Sequence, residues 1–365
     1  VEAMNSKDLI EIVQHFQIEG TVASIAPLGK GLINDSYIVR TKEDEKPNFV
    51  LQRINHQIFT DVEMLQHNIE VVTDHLRRKL QAENFTDIDR RVLHFVSTAS
   101  GKTYHFDGQN YWRLSIYIAD TLTVEEVTPQ SSYDCGLAFG HFQQQLIDLN
   151  EPLGETIPDF HNMELRLHQL HQAVANDMAE RVKEVSKELE LIEAHADEMC
   201  LAERLYRQGL LPKRICHCDT KVNNMLFDRN GNVLCIIDLD TVMPAYIFSD
   251  YGDFLRTAAN NQPEDSPNLD KITFRWDIFE AFSRGFLEST SSFLTPVERE
   301  HLPYAVALFP MMQAVRFLTD YLNGDTYYKI KYPEHNLVRT RNQLRFFQEV
   351  EANREKMAKF IALIS

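Results

Sequence analysis

Two short polar runs carry most of the chemistry this sequence offers. HCDTKVNN at 217–224 and IDLD at 237–240 place Asp219, Lys221, Asn224, Asp238 and Asp240 between apolar flanks. Asp219 falls in a loop after the strand-like RIC, and Asn224 opens the next apolar segment. Asp238 ends VLCIID, which the Asn-Gly pair of DRNGN predicts to fold back on NMLF as a hairpin, bringing the Asp238 carboxylate out beside Asn224. Asn224, Asp238 and Asp240 then form an oxygen-only donor set, the kind Mg²⁺ takes when phosphates complete its shell. That leaves Asp219 to accept the proton of an attacking hydroxyl and Lys221 to neutralise charge on a transferred phosphoryl group. The chemistry indicated is phosphoryl transfer.

Two plainer readings compete for the same residues. Zinc on CHC at 216–218 needs further ligands, and strand alternation sends Cys216 and Cys218 to one face and His217 to the other. A merely solvated polar loop sits badly with the apolar brackets on both sides.

These residues need a scaffold, and the hydrophobic periodicity describes one. Residues 7–17 read as an amphipathic helix with Ser6 as N-cap. Strands are expected at 22–27, 36–40 and 49–54, the first two joined by the GKG turn at 29–31. A helix follows over 61–80, then strands at RVLHFV, KTYHF and NYWRLSIYI between 91 and 118. Beyond Asp120 the pattern is helical, at about 129–149, 162–208, 270–290, 295–321 and 336–363, interrupted by β segments near 213–218 and 225–238. The expected fold class is α+β and bilobal, with a β-rich lobe over 1–119 and a larger helical lobe over 120–365.

Composition narrows the partners. A formal charge of −17 with no basic patch opposes binding to nucleic acid or to an anionic membrane. No window holds the apolar run of a spanning helix, and the start VEAMNSKDLIEIVQHF lacks a secretory h-region. The five cysteines, odd in number and without a CxxC, suit a reducing compartment, so the cytoplasm is expected.

HxDxxxxN followed by IDxD resembles the catalytic and metal motifs of the aminoglycoside phosphotransferase and choline kinase superfamily, relatives of the protein kinases. The order of lobes matches as well. More narrowly, GLINDSYIV, FVLQRIN, HCDTKVNN, IDLDTVMP, DYGDFLRT and RFLTDYLNGDTYYK resemble, in order, the N-acetylhexosamine 1-kinases of that superfamily. The resemblance implies ATP as phosphoryl donor, Mg²⁺ as cofactor and a small sugar as acceptor. It makes Asp219 the catalytic base with Lys221 facing the γ-phosphate. Asn224 and Asp238 become the Mg²⁺ ligands, and Asp240 a further ligand or an acceptor behind them. Gly29, Gly31 and Asn34 of the glycine turn are expected to cover the phosphates, and backbone groups near Tyr117 and Ala119 to meet adenine. Asp35, Thr241 and Arg316 are expected to hold the sugar together with Asp219. Asp250 and Asp253 lie where the superfamily places an acid that braces the catalytic loop, with a structural role expected for Asp253.

One departure stands out. The superfamily has Lys or Arg on the third strand to grip the α- and β-phosphates, where this chain reads VLQR. Strand parity puts Gln52 and Arg53 on opposite faces, so either an uncharged Gln52 occupies the place or Arg53 and Lys221 carry the grip. Glu63 or Glu70 would be the helix acid that normally pairs with that base. Three other functions fit parts of the pattern: the same transfer to an aminoglycoside, choline, homoserine or methylthioribose; a kinase-like binding module without catalysis, which Gln52 makes conceivable; and a zinc hydrolase built on CHC.

Overall fold

The computed structural model describes residues 6–29, 33–124 and 126–364. They fall into two compact units, one of 1–123, 148–158 and 225–243, the other of 124–147, 159–224 and 244–365.

The first unit is built on a five-stranded antiparallel sheet. Its strands are β1 (Val22–Pro27), β2 (Asp35–Thr41), β3 (Phe49–Ile54), β4 (His105–Phe106) and β5 (Tyr111–Ile116), in spatial order β1-β2-β3-β5-β4. The two-residue period of a strand gives β3 and β5 two unlike faces. Phe49, Leu51, Trp112 and Leu114 bury one face under Leu9, Ile12 and Val13 of helix α1 (Ser6–Val13) and under Phe16. Gln52 and Arg113, directly opposite in the register, belong to the other face. Helix α2 (Val62–Ala82) starts on an Asp61 cap that accepts the Met64 N–H at 2.9 Å and buries Leu65, Ile69, Val72 and Leu76 at helical spacing. The DRNGN hairpin forms as expected, pairing Met225–Phe227 with Val233–Ile236 in register Met225↔Ile236.

RVLHFV does not form the strand its pattern predicts. Ile88–Arg91 is a short helix held by Arg91 on the Asp87 carboxylate at 2.7 Å, and the chain then docks beside β5 through two backbone hydrogen bonds, Val96 N to Leu114 O and Ile116 N to His94 O.

The second unit is helical. Pro129–Gln145 and Trp276–Thr290 cross closely because Gly136 and Gly285 lie at the contact; a Cβ on them would meet the carbonyls of Phe282 at 2.3 Å and Tyr133 at 2.1 Å. Leu302–Leu322 is buried along nearly its whole length and packs on His335–Ile364. The long helix expected over 162–208 is instead broken after Met163–Asn176. Asp177 adopts a left-handed conformation there, and its carboxylate takes the N–H groups of Arg181 and Val182. The chain restarts as Ser186–Met199 and Leu201–Arg207. The 295–321 segment also divides: Thr295 and Glu298 cap a short helix, Pro296–Glu300, and the chain restarts as Leu302–Leu322 at Pro303, whose missing N–H suits a first turn. One helix, Phe248–Ala258, was not read from the sequence although Phe248, Tyr251 and Leu255 recur at helical spacing with Ser249, Asp250, Asp253 and Arg256 between them; Phe248 to Arg256 are all buried, polar residues included. Among the described residues no helix is long and apolar enough to cross a membrane.

Candidate active site

The loop 217–224 belongs to the second unit and is tied down by the Phe248–Ala258 helix. The short strand Arg214–Cys216 delivers the chain to His217. Asp250, fully buried in the first turn of Phe248–Ala258, accepts the Cys218 N–H on Oδ1 at 2.8 Å and the His217 N–H on Oδ2 at 2.9 Å. Gln143 donates to the same Oδ2 at 2.7 Å. Burial pushes the Asp250 carboxyl up, against the pull of the His217 imidazole and of these donors. One turn on, Asp253 accepts the Thr220 N–H at 3.1 Å and pairs with Arg256, which also grips Glu264 at 2.8 Å. Burial alone would lower the Arg256 guanidinium, but Glu264 and Asp253 hold it well above its ordinary value. Both acids thus brace the loop, Asp250 with two backbone donors and Asp253 with one.

Between these braces Asp219 is half-buried, and the Lys221 ammonium lies 3.1 Å from its Oδ1. Asn224 donates its amide nitrogen to the Asp219 carbonyl at 2.8 Å and to Oδ2 at 3.0 Å. Both bonds use the amide nitrogen, so Oδ1 is the atom of Asn224 that could serve a hard cation. Sequence reasoning grouped Asp219, Lys221 and Asn224, and the second unit brings them together.

CHC does not form a metal set. Cys216 receives the Gln143 amide at 3.2 Å and donates to the Tyr246 carbonyl, while His217 Nδ1 accepts the Asp219 N–H at 3.2 Å. Burial raises both thiols well above their ordinary value, and Cys135, Cys200 and Cys235 are pushed up to about 12 by the same cause. The group of His, Cys or acidic residues that does come close enough to share an ion, among the described residues, is His195, Glu198 and Glu351, where Arg354 already bridges both acids at 2.7 and 2.5 Å.

In the first unit, Asp238 is exposed and opens a single helical turn, Leu239–Thr241, from a left-handed conformation at φ 59°. A non-glycine residue there is uncommon, though Asp tolerates it better than most. Asp240, two residues on, is buried, and so is Thr241. Arg113 of β5 grips Asp240 with both arms of its fork, Nη1 to Oδ1 at 2.5 Å and Nη2 to Oδ2 at 2.9 Å. Asn34 donates to Oδ2 at 2.7 Å, and Thr156 donates to the Asp240 carbonyl at 2.7 Å. Three of the four lone-pair positions of that carboxylate are therefore taken, which favours the acceptor role for Asp240 over direct metal ligation.

The residues expected around the phosphates are distributed differently from the sequence reading. Gln52 accepts from Arg113 Nε at 2.9 Å and donates to Ser36 at 3.1 Å. Arg53 is paired with Asp35 across β2 and β3, with Nε to Oδ2 at 2.9 Å. Glu63 lies 3.7 Å from Lys102, and Glu70 accepts from Thr103. The α2 residue that meets the cation is Gln66, accepting from Arg113 Nη1 at 3.2 Å. Sequence reasoning missed Arg113, although a lone arginine inside YWRLSIYI was a signal, since a buried charge requires a partner. Gly29 takes φ 68° with open space where a Cβ would lie, so its requirement is conformational. Asn34 faces Asp240 and the Asn55 N–H. Gly31 lies outside the described residues. Tyr117 and Ala119 are exposed, with the Tyr117 N–H donated to Asn48 at 2.8 Å and the Ala119 carbonyl accepting from Arg90 at 3.0 Å.

Arg316, in the second unit, sits among aromatic rings, its guanidinium 5.2 Å from Phe160, 5.7 Å from Tyr328 and 6.0 Å from Tyr327. The neighbouring Asp320 does not pair with it but accepts the N–H groups of Thr326, Tyr327 and Tyr328, fixing the aromatic wall. Phe160 stacks on His161, which shares a 2.9 Å hydrogen bond with Ser249, next to the Asp250 brace. Burial, then Arg316, Arg166 and Arg256, push the His161 imidazole well below its ordinary value. Burial and Arg316 lower the Arg166 guanidinium to about 10.

Residues 24–286 match the model of the phosphotransferase enzyme family. The chain belongs to that family. Solved structures similar to this phosphotransferase include an amicoumacin kinase in complex with AMP-PNP, Ca²⁺ and Ami, at 13% identity over 94% of this chain and 93% of that one, with a TM-score of 0.60. A spectinomycin phosphotransferase in complex with ADP and spectinomycin is 12% identical over 100% and 99%, with a TM-score of 0.56. A choline kinase from Cryptosporidium parvum Iowa II is 13% identical over 96% and 97%, with a TM-score of 0.57. The likeness gives the phosphotransferase its kinase-like α+β fold. The acceptor is a matter for the residues of this chain.

Proposed function

We propose that the protein transfers the γ-phosphoryl group of ATP to the anomeric C1 hydroxyl of an N-acetylhexosamine. The observation that carries the choice of acceptor is the Arg316 environment. It donates to the neutral Gln313 at 3.1 Å, three aromatic faces surround it, and Arg166 and His161 stand nearby. A cationic acceptor such as choline or an aminoglycoside is opposed by the guanidinium groups of Arg316 and Arg166. A neutral sugar suits it, because hydroxyl and acetamide oxygens accept from a guanidinium and the pyranose face lies against aromatic rings. Thr241 and Asp35 are further candidates for sugar contact.

In this reading Asp219 takes the proton of the attacking hydroxyl, held in place by Asn224 and by the loop braces. Lys221 keeps its ammonium beside the reacting carboxylate and faces the transferred group. Positioning and charge neutralisation contribute more than proton removal in a loose transition state. Asn224, through Oδ1, and Asp238 are the proposed ligands for Mg²⁺, and their oxygen donors fit a hard cation. Mg²⁺ bound there would neutralise phosphate charge. The first unit is proposed to present the nucleotide.

The test is an acceptor panel with ATP and Mg²⁺, read by phosphorus NMR. An anomeric phosphate couples to H1, whereas a 6-phosphate does not. Product from N-acetylglucosamine or N-acetylgalactosamine with that coupling supports the proposal; turnover confined to choline or an aminoglycoside would sink it.

A further inference from the structure

We infer that Arg113 is a positioning residue for the metal-binding carboxylate Asp238, acting through Asp240. The inference rests on the reading of Asp238 as a Mg²⁺ ligand. Arg113 and Asp240 are each only 3% exposed, so neither charge has water to solvate it. The forked pair, with contacts of 2.5 and 2.9 Å, satisfies both. Asp240 is the hub of four attachments: Arg113 from β5, Asn34 from the segment leading into β2, Thr156 on its carbonyl, and through Arg113 the amides of Gln52 and Gln66. Asn34 extends the network to the Asn55 N–H at 2.9 Å, just beyond β3. The turn 238–241 is thereby fixed at its middle by side chain and backbone alike. Its first residue, Asp238, holds a left-handed conformation that a less constrained turn would not favour. The strongest cation near this turn comes from β5 and is aimed at the turn itself. Gln52, opposite it in the register, only orients the guanidinium.

The consequence is a division of labour that a purely structural salt bridge does not predict. Loss of Arg113 should weaken divalent-ion binding and leave the affinity for metal-free nucleotide unchanged, because the guanidinium is spent on Asp240. Groups that orient a metal ligand typically change metal affinity about 10–100-fold when removed.

The experiment uses the full chain and Mn²⁺ as probe, counting free Mn²⁺ by electron paramagnetic resonance with a non-hydrolysable ATP analogue present. Analogue affinity without divalent ion and the rate as a function of Mg²⁺ are measured in parallel. Arg113→Met should weaken Mn²⁺ binding by about tenfold or more and raise the half-saturating Mg²⁺ by the same factor, with metal-free analogue affinity held within about twofold. Arg113→Lys keeps the charge but loses the fork, and an intermediate weakening of about threefold to tenfold is expected; this variant decides the matter if the Met variant fails to fold. Wild-type Mn²⁺ affinity in either folded variant overturns the inference. So does a parallel loss of metal-free analogue affinity, which would place Arg113 on the phosphates. Asp238→Ala separates the two layers: if it also leaves Mn²⁺ affinity unchanged, the metal-ligand reading itself fails, whereas a dead Asp238→Ala beside an unaffected Arg113→Met removes only this inference.

Discussion

Replacing Asp250 by Asn is the sharpest test of how the 217–224 loop is held. The change is nearly isosteric but leaves one acceptor oxygen where the carboxylate has two. Oδ1 serves Cys218 N–H, while Oδ2 serves His217 N–H and the Gln143 amide. With the amide oxygen kept at the Oδ2 position, the Cys218 N–H faces an NH₂ group and loses a bond to a charged acceptor, about 1.5–3 kcal/mol. The two remaining bonds lose charge assistance, roughly half their strength. Removing a buried charge recovers part of this, since burial is what pushes the Asp250 carboxyl up. The net expectation is a loss of about 2–4 kcal/mol in urea unfolding. Cys218 adjoins Asp219, so the loop should also shift the base; a misplacement on the order of 1 Å costs roughly 10²-fold in kcat. Steady-state kinetics should therefore show kcat down about 100-fold with the nucleotide KM nearly unchanged. Lost stability with wild-type kcat would refute the reasoning, because Asp250 would then pack the helix without placing Asp219.

Arg316→Met should lower kcat/KM for the sugar by about 10–100-fold, the value of a charge-assisted hydrogen bond or two, and leave the ATP KM unaltered; an equal loss for both substrates would point to misfolding. Gly285→Ala puts a Cβ 2.1 Å from the Tyr133 carbonyl, and urea melts should show destabilisation of about 1–3 kcal/mol, with no change arguing against the close helix crossing. His161 titrates well below its ordinary 6.5 when folded, so below about pH 6.5 the unfolded chain binds the extra proton and stability falls as pH falls. His161→Phe keeps the stack on Phe160 and should flatten that acid-side decline in unfolding free energy; an unchanged slope would show that His161 does not contribute to it.

Much of the scaffold was legible because its signals are local. β1, β2, β3, β5, α2 and the DRNGN hairpin follow from alternation, helical spacing and an Asn-Gly turn. What escaped was set by tertiary contacts. Phe248–Ala258 has helical spacing of its apolar residues, but that its polar face is buried and carries both loop braces is set by the loop packed on it. RVLHFV alternates like a strand, but its first residue, Arg91, closes a short helix on Asp87, and the extended remainder meets β5 through only an isolated bridge, Phe95↔Ser115. Within the site, Asp219, Lys221 and Asn224 were readable because a single loop holds them. Arg113 stood as a lone arginine in an apolar strand, but its partner could not be read, because Asp240 lies 127 positions away and the pair exists only through tertiary folding.

The most direct measurement of the account's central claim is single-turnover phosphoryl transfer to N-acetylhexosamine by Asp219→Asn beside the wild type, with ATP affinity measured on both. The variant keeps the shape of the side chain and cannot take the proton. The account predicts unchanged ATP affinity and a chemical step slower by about 10²–10⁴-fold, the usual worth of a general base. A near-wild-type rate would contradict it and remove Asp219 from the role of base.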